Sequence, residues 1–398
     1  MLKLIGQYYN KLKENDAFGL LLHPQVALNY ATWQEEMLKR PLVMNSTPPG
    51  VEIELTNRCN LACIQCMRSL GLKPYKLGEM DFENYKKILA QFPHVTNLSL
   101  NGFGEPTMYK QFFEVVAYTR RERPWCKIGI YTNGMLIDEE KAYRLMDCGL
   151  TELNISIDAA YPDTYRRVRR GGKLEILHDN IRRLVRVKQE TRSRFPMIGL
   201  NYVMLNDNEG ELVPFVEQAA EFGVDFINCI TYAGYDWGFK NRRSRESYRV
   251  ELAAARRRTE ELGVRVKTFP SDDLSWSDPK KDFSCPFYWG EEFRVTYGGE
   301  ITLGCCTPFK ETFSYGNLLD APFSEIWNNE KFQTNRERAN RNIAPTPTCA
   351  QCDKFSKSFF SEEDSQGALL RVDGAPATGD IGTAFVPMSA LEAAGSRK

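Results

Sequence analysis

The chain is short of histidine, of net charge and of long apolar runs, and each shortage excludes something. Its three histidines, His23, His94 and His178, have no ligand spacing, which argues against a histidine-rich metal site. Lys plus Arg is 52 and Asp plus Glu is 52, so the net charge is zero. With no bulk field to draw in phosphate backbones or anionic lipid, neither nucleic acid nor a membrane is an expected partner. No stretch approaches the ~20 apolar residues of a membrane span. The start, MLKLIGQYYNKLKEND, lacks an apolar run leading to a small-residue cleavage site, so a cytoplasmic protein is expected. Apolar residues at 42% and charged residues at 26% are an ordinary globular balance, which excludes collagen-like, coiled-coil and wholly disordered chains.

Cysteine is plentiful by contrast: eleven, at 59, 63, 66, 126, 148, 229, 285, 305, 306, 349 and 352. In a reducing compartment a clustered set of thiols points to bound metal rather than to a disulfide framework.

Residues 1–50 read as a helical extension ending in the turn cluster Ser46-Thr47-Pro48-Pro49-Gly50. From 51 to 230, short β-rich runs alternate with helical patterns six times. The strands are Val51–Thr56, Val95–Asn101, Lys127–Thr132, Leu153–Asp158, Ile198–Met204 and Asp225–Ile230. Between them lie helices over Phe82–Gln91, Lys110–Arg123, Glu139–Cys148, Glu175–Thr191 and Glu211–Phe222. Strand then helix implies parallel strands with right-handed crossovers, hence an open α/β sheet or a partial barrel with its chemistry on the loops after the strands. Residues 231–280 read as a connector, 281–360 as a small loop-rich domain needing a metal staple, and 361–398 as a flexible tail.

Directly after the first strand stands Cys59-x3-Cys63-x2-Cys66. Three thiolates on a cubane iron-sulfur cluster leave one iron with open positions. A closed zinc site wants a fourth ligand close by, and the nearest histidine is His94.

On these residues the stretch from 51 to about 230 resembles the radical S-adenosylmethionine (radical SAM) superfamily. The resemblance implies an α/β fold, a partial (β/α)6 TIM-like barrel, in which Cys59, Cys63 and Cys66 hold a [4Fe-4S] cluster that chelates S-adenosylmethionine. Reductive cleavage then yields a 5'-deoxyadenosyl radical that abstracts a substrate hydrogen, the electron coming from a flavodoxin- or ferredoxin-type reductant. Asn101-Gly102-Phe103-Gly104-Glu105-Pro106 is similar to the family's Gly-Gly-Glu-Pro element, with Glu105 as an acceptor for the methionine ammonium. Asn133, after the third strand, Ser156 and Asp158, at the fourth, and Asn206, after the fifth, complete the implied cofactor contacts. Gln65 departs from the family, which usually carries an aromatic before the third Cys. A hydrogen bond from Gln65 is expected instead.

Cys285, Cys305 or Cys306, Cys349 and Cys352 form a second set. The text around them resembles a SPASM or twitch extension and implies one auxiliary [4Fe-4S] cluster, with Cys305 preferred over Cys306. A zinc ribbon fits the Cys349-x2-Cys352 spacing equally well. A fully ligated auxiliary cluster suits electron transfer and therefore a net oxidation. The single-cluster layout resembles dehydrogenases acting on amino-sugar alcohols or cyclitols, which is the expected activity. A maturase acting on a ribosomally made peptide is the second expectation, and a non-enzymatic zinc or iron-sulfur scaffold the third.

Overall fold

The computed structural model describes residues 23–69, 76–231, 245–270, 285–291, 293–303, 314–346 and 349. Its first elements are α1 (Pro24–Lys39), β1 (Gly50–Ile53), α2 (Phe82–Ala90), β2 (Asn97–Ser99), α3 (Phe112–Glu122), β3 (Lys127–Thr132), α4 (Glu139–Asp147) and β4 (Glu152–Ser156). There follow α5 (Pro162–Val168), α6 (Leu174–Glu190), β5 (Met197–Met204), α7 (Leu212–Phe222), β6 (Phe226–Thr231), α8 (Arg245–Leu262) and β7 (Val266–Thr268). Then come β8 (Phe293–Val295), β9 (Ile301–Leu303), α9 (Phe323–Trp327) and α10 (Glu330–Asn340). The tail at 361–398 and residues 1–22 lie outside the described residues.

The strands form one sheet in the order β7-β6-β5-β4-β3-β2-β1-β8-β9. Every pair is parallel except β8 with β9. The sheet is not closed on itself: β7 and β9 are its edges. The period of two sorts its faces. On β4, Leu153 and Ile155 join one apolar cluster with Leu177, Ile181 and Leu184 of α6, while Asn154 and Ser156 face the other way, into the lumen. That helix buries a stripe at i, i+3, i+4 and i+7 spacing, which is why it lies on the sheet. Asp81 and Asp138 start α2 and α4 by accepting from Asn84 N and Lys141 N.

Three features depart from the expected architecture. A short helix, α5, begins at Pro162, whose fixed φ suits a first helical position. The connector is no mere connector: α8 and β7 supply a further βα unit, paired in parallel with β6. In the cysteine-bearing C-terminal part, β8 pairs with β1 and extends the same sheet. The N-terminal extension packs there too. Trp33 Nε1 donates to Trp289 O at 2.8 Å and Trp289 Nε1 to Pro41 O at 2.9 Å. Arg336, fully buried, donates to the carbonyls of Leu42, Trp327 and Tyr288. Among the described residues, no helix is long and apolar enough to cross a membrane.

Candidate metal centre

The loop after β1 is strapped on two sides. Asn57 Nδ2 donates to Lys76 O at 2.9 Å and its Oδ1 accepts from Gly78 N at 2.8 Å. On the other flank Ala62 N and Ile64 N donate to Arg170 O and Val168 O, at 2.9 and 3.0 Å. A turn closed by Cys66 N on Cys63 O, 3.1 Å, finishes the loop. Cys59, Cys63 and Cys66 are thus presented together as free thiols, the first and last half-buried and the middle one buried.

Donors surround the sulfurs. Cys59 Sγ accepts from Leu61 N at 3.5 Å and from Asn133 Nδ2 at 3.8 Å, and Cys63 Sγ from Arg169 Nη1 at 3.7 Å. Burial pushes the Cys59 and Cys63 thiols up from their ordinary range. Metal ligation needs thiolates, so a cation is what would hold these groups deprotonated. Among the described residues, no three His, Cys, Asp or Glu side chains converge on one ion. A cubane takes one thiolate per iron, so this donor set fits a cluster better than a tetrahedral zinc.

The glycines of the loop after β2 serve close packing on the cysteine loop itself. A Cβ on Gly104 would stand 2.2 Å from Thr56 O, and one on Gly102 2.2 Å from Glu54 Cγ. Glu105, buried, receives Thr107 N, Thr107 Oγ1 and Thr132 Oγ1 on Oε1, and Asn133 N on Oε2. It therefore ties the turn after β2 to the turn after β3 and leaves Oε2 with spare acceptor capacity. Pro106 opens a short 3-10 helix capped by Glu105. Asn133 reaches back to Asn60 Oδ1 at 2.8 Å as well as to Cys59.

Ser156 is half-buried on the lumen face, in register with Asn201. Asp158 is not open to a ribose. Fully buried at φ 46°, it accepts Val203 N on Oδ1 and binds Gln65 Nε2 and Arg169 through Oδ2. Its role in this geometry is to aim Gln65 and Arg169. Asn206 is exposed in the turn after β5, and the buried asparagine there is Asn208, whose Nδ2 donates to Asp158 O and Val203 O. Arg169 lies in the basic run 166–170, where sequence alone could not tell it from its neighbours. Cys229 lies in the helix-side core and does not face the lumen.

Of the second set, Cys285 and Cys349 are buried, and Cys305, Cys306 and Cys352 lie outside the described residues. Tyr288 Oη is 3.4 Å from Cys349 Sγ, which also accepts from Thr346 Oγ1 at 3.2 Å. Burial, with both cysteines nearby, raises the Tyr288 hydroxyl well above its ordinary range.

Comparison with known proteins agrees with this geometry. Residues 53–219 match the family model of the Radical SAM superfamily, and residues 285–353 match SPASM, an iron-sulfur cluster-binding domain. The chain is 27% identical over 291 residues to the PqqA peptide cyclase of Gluconobacter oxydans, covering 72% of this chain and 78% of that protein. It is 24% identical over 332 residues to the tungsten-containing aldehyde ferredoxin oxidoreductase cofactor-modifying protein of Pyrococcus furiosus, covering 75% and 86%. In fold it is similar to Streptococcus suis SuiB bound to S-adenosylmethionine, with a TM-score of 0.63 at 16% identity, over 89% of this chain and 82% of that one.

Proposed function

We propose, for a chain that belongs to the radical SAM superfamily and carries a SPASM domain after its barrel, that it modifies a peptide by oxidative radical chemistry. One observation carries the choice of substrate: the similarity to a peptide cyclase runs through 72% of this chain and 78% of that protein. Oxidation of an amino sugar or cyclitol, expected from the single-cluster layout, has no counterpart in the two relatives described above. The peptide reading takes its place.

Cys59, Cys63 and Cys66 would hold the [4Fe-4S] cluster, and Cys285, Cys349, Cys352 and Cys305 or Cys306 the auxiliary one. When bound, these groups with S-adenosylmethionine supply a hydrogen-abstracting 5'-deoxyadenosyl radical and an electron acceptor. The protein's own part is placement. Glu105 and Asn133 lock the turns after β2 and β3 against the cysteine loop, with Oε2 of Glu105 facing a cation's needs. Gln65, held through Nε2 by Asp158, keeps a buried Oε1 without a partner, an acceptor for the adenosyl part. The reductant is a flavodoxin- or ferredoxin-type protein.

The test begins with iron and zinc content of anaerobically reconstituted protein beside the Cys59/Cys63/Cys66 triple Ala variant. About eight irons in wild type and about four in the variant are expected for two cubanes. About four irons with one zinc would make the C-terminal cysteines a staple and remove the electron acceptor. The reduced enzyme is then assayed for 5'-deoxyadenosine and for loss of two hydrogens from peptides encoded beside its gene. Cys59→Ala should abolish both, and Cys349→Ala only the second. Oxidation of a polyol with every such peptide unchanged would overturn the peptide reading.

A further inference from the structure

The chain is neutral as a whole, but the outer face of the cysteine loop is not. Residues 57–69 hold Arg58 and Arg68 and no carboxylate. The strap beside them, residues 166–173, holds four arginines and Lys173, again with no carboxylate. Ala62 N donates to Arg170 O at 2.9 Å, and a Cβ on Gly171 would lie 3.5 Å from Asn60 O, so strap and loop are in contact. Arg169 turns inward to Asp158 and Cys63. Arg58, Arg170 and Lys173 are exposed, as are Asn60 and Ala62 of the loop itself.

The same face continues on the other flank. Glu105 N donates to Arg58 O at 2.8 Å, and the residues just after Pro106 form one wall of a cavity of about 150 Å³. Lys110, Lys141 and Arg144 line it beside the exposed Met108, and no carboxylate does. Lys173 N donates to Met135 Sδ at 3.4 Å and Lys141 Nζ to Leu136 O at 2.9 Å, so the turn after β3 joins the two flanks. Three of these cations have a carboxylate only at long range: Arg58 with Glu79 at 3.8 Å, Lys141 with Asp138 at 3.8 Å and Arg144 with Glu140 at 3.6 Å. Among the described residues, no carboxylate pairs with Lys110, Arg170 or Lys173. The C-terminal part lacks this bias: its described residues from 285 onward carry six carboxylates and five cations, with Arg294 ion-paired to Glu52 and Arg336 buried.

We infer that this face, from Arg170 and Lys173 across Asn60 to the cavity at Lys110, docks an acidic one-electron carrier protein. The electron then enters directly at the Cys59/Cys63/Cys66 site and does not pass through the auxiliary one. Opposite charges steer the encounter and set the docked orientation, and here the cations surround the very loop that must be reduced. The cavity accepts one carboxylate side chain of the carrier between Lys110 and Arg144, the latter held 3.9 Å over the ring of Phe113. One electron leaves the carrier, which is oxidised by one, and the cluster is reduced by one; no bond is made or broken. The inference rests on the radical SAM reading for the need of an electron, and it is independent of the substrate.

Stopped-flow reduction of the cluster-loaded full chain by reduced flavodoxin, a carrier of net negative charge, tests it. Dithionite is the small reductant that needs no docking, and flavodoxin affinity is followed by flavin fluorescence. Arg170→Glu/Lys173→Glu and Lys110→Glu each reverse exposed charge on this face. Arg341→Glu reverses an exposed charge just after α10 in the C-terminal part. The first two variants should each lose ~tenfold or more in affinity and in second-order reduction rate at low salt, within the range that electrostatic steering gives. Arg341→Glu should match wild type, and dithionite should reduce all four proteins alike. Added salt should slow the wild-type reaction with flavodoxin. A salt-independent wild-type rate would overturn the inference with no variant required to fold. So would unchanged flavodoxin rates in the first two variants, or a loss confined to Arg341→Glu, which would put the entry at the auxiliary site. Reduction through this face in a chain that alters no peptide would spare this inference and sink the peptide reading. Peptide modification with flavodoxin rates unmoved by the first two variants would do the reverse.

Discussion

The guanidinium of Arg169 stands between the Cys63 sulfur, 3.7 Å from Nη1, and the carboxylate of Asp158, to which it is ion-paired through Nη2. Burial opposes its charge, but Asp158 and then Cys63 and Tyr165 raise its pKa above the ordinary arginine value. A fixed positive charge at a ligating sulfur favours the more negative, reduced state of a cluster held there.

Arg169→Gln should therefore lower the reduction potential of the Cys59/Cys63/Cys66 cluster, read by redox titration with electron paramagnetic resonance. It should also destabilise the fold by about 3–5 kcal/mol, because Asp158 is left buried without its ion partner. An unchanged potential would show that the charge at Cys63 does not reach the cluster.

Gly104→Ala should disable the site without touching a cysteine. The new Cβ would sit 2.2 Å from Thr56 O and 2.6 Å from Arg58 O, backbone atoms that move only by displacing the loop that carries Cys59. Iron loading and S-adenosylmethionine binding should both fall. Gly298→Ala is the control, since its nearest neighbour would be Thr296 Oγ1 at 3.8 Å. Equal loading in the two variants would refute the packing argument.

Glu54 gives a pH dependence. It is buried, and burial raises its pKa above the ordinary 4.5, although Phe103 N and Arg294 pull the other way. The folded state then binds the proton more tightly than the unfolded one. Glu54 favours folding at and below its ordinary pKa, and that contribution is lost as the pH rises through the raised value. Glu54→Gln should flatten the fall of Tm with pH above about 4.5 in metal-free protein. A slope that survives the substitution would assign the dependence to other groups.

Thiol reactivity should separate the cysteines. Burial pushes Cys126 up to about 12 and Cys148 up to about 11, and it raises Cys229 as well. Thiolate is the reactive form, so iodoacetamide at pH 8 should modify half-buried Cys66 of metal-stripped protein long before any of these three. Early labelling of Cys229 would contradict its burial in the helix-side core.

How much of this was legible in the chain depends on sequence distance. The six strands of the core could be read because periods of two and 3.6 are written in neighbouring residues, as in Leu153 to Ser156 and Leu174 to Leu184. Cys59, Cys63 and Cys66 could be read for the same reason: a ligand spacing is a local property of one loop. The element holding Gly102 and Gly104 was legible in the same way, but not that both glycines make room for the loop after β1.

What the sequence alone determined, then, was the alternating α/β pattern, the three-thiol loop and the chemistry that such a loop implies. Tertiary structure decided the rest. It set β8 of the cysteine-rich C-terminal part against β1, in one sheet with the strands of the core. It also brought Arg169 to Cys63 across 106 residues and Asn228 to Asn154 across 74. Such pairs carry no signature along the chain, because their hydrogen bonds depend on which strands become neighbours and in what register. That is settled only when the whole sheet has formed.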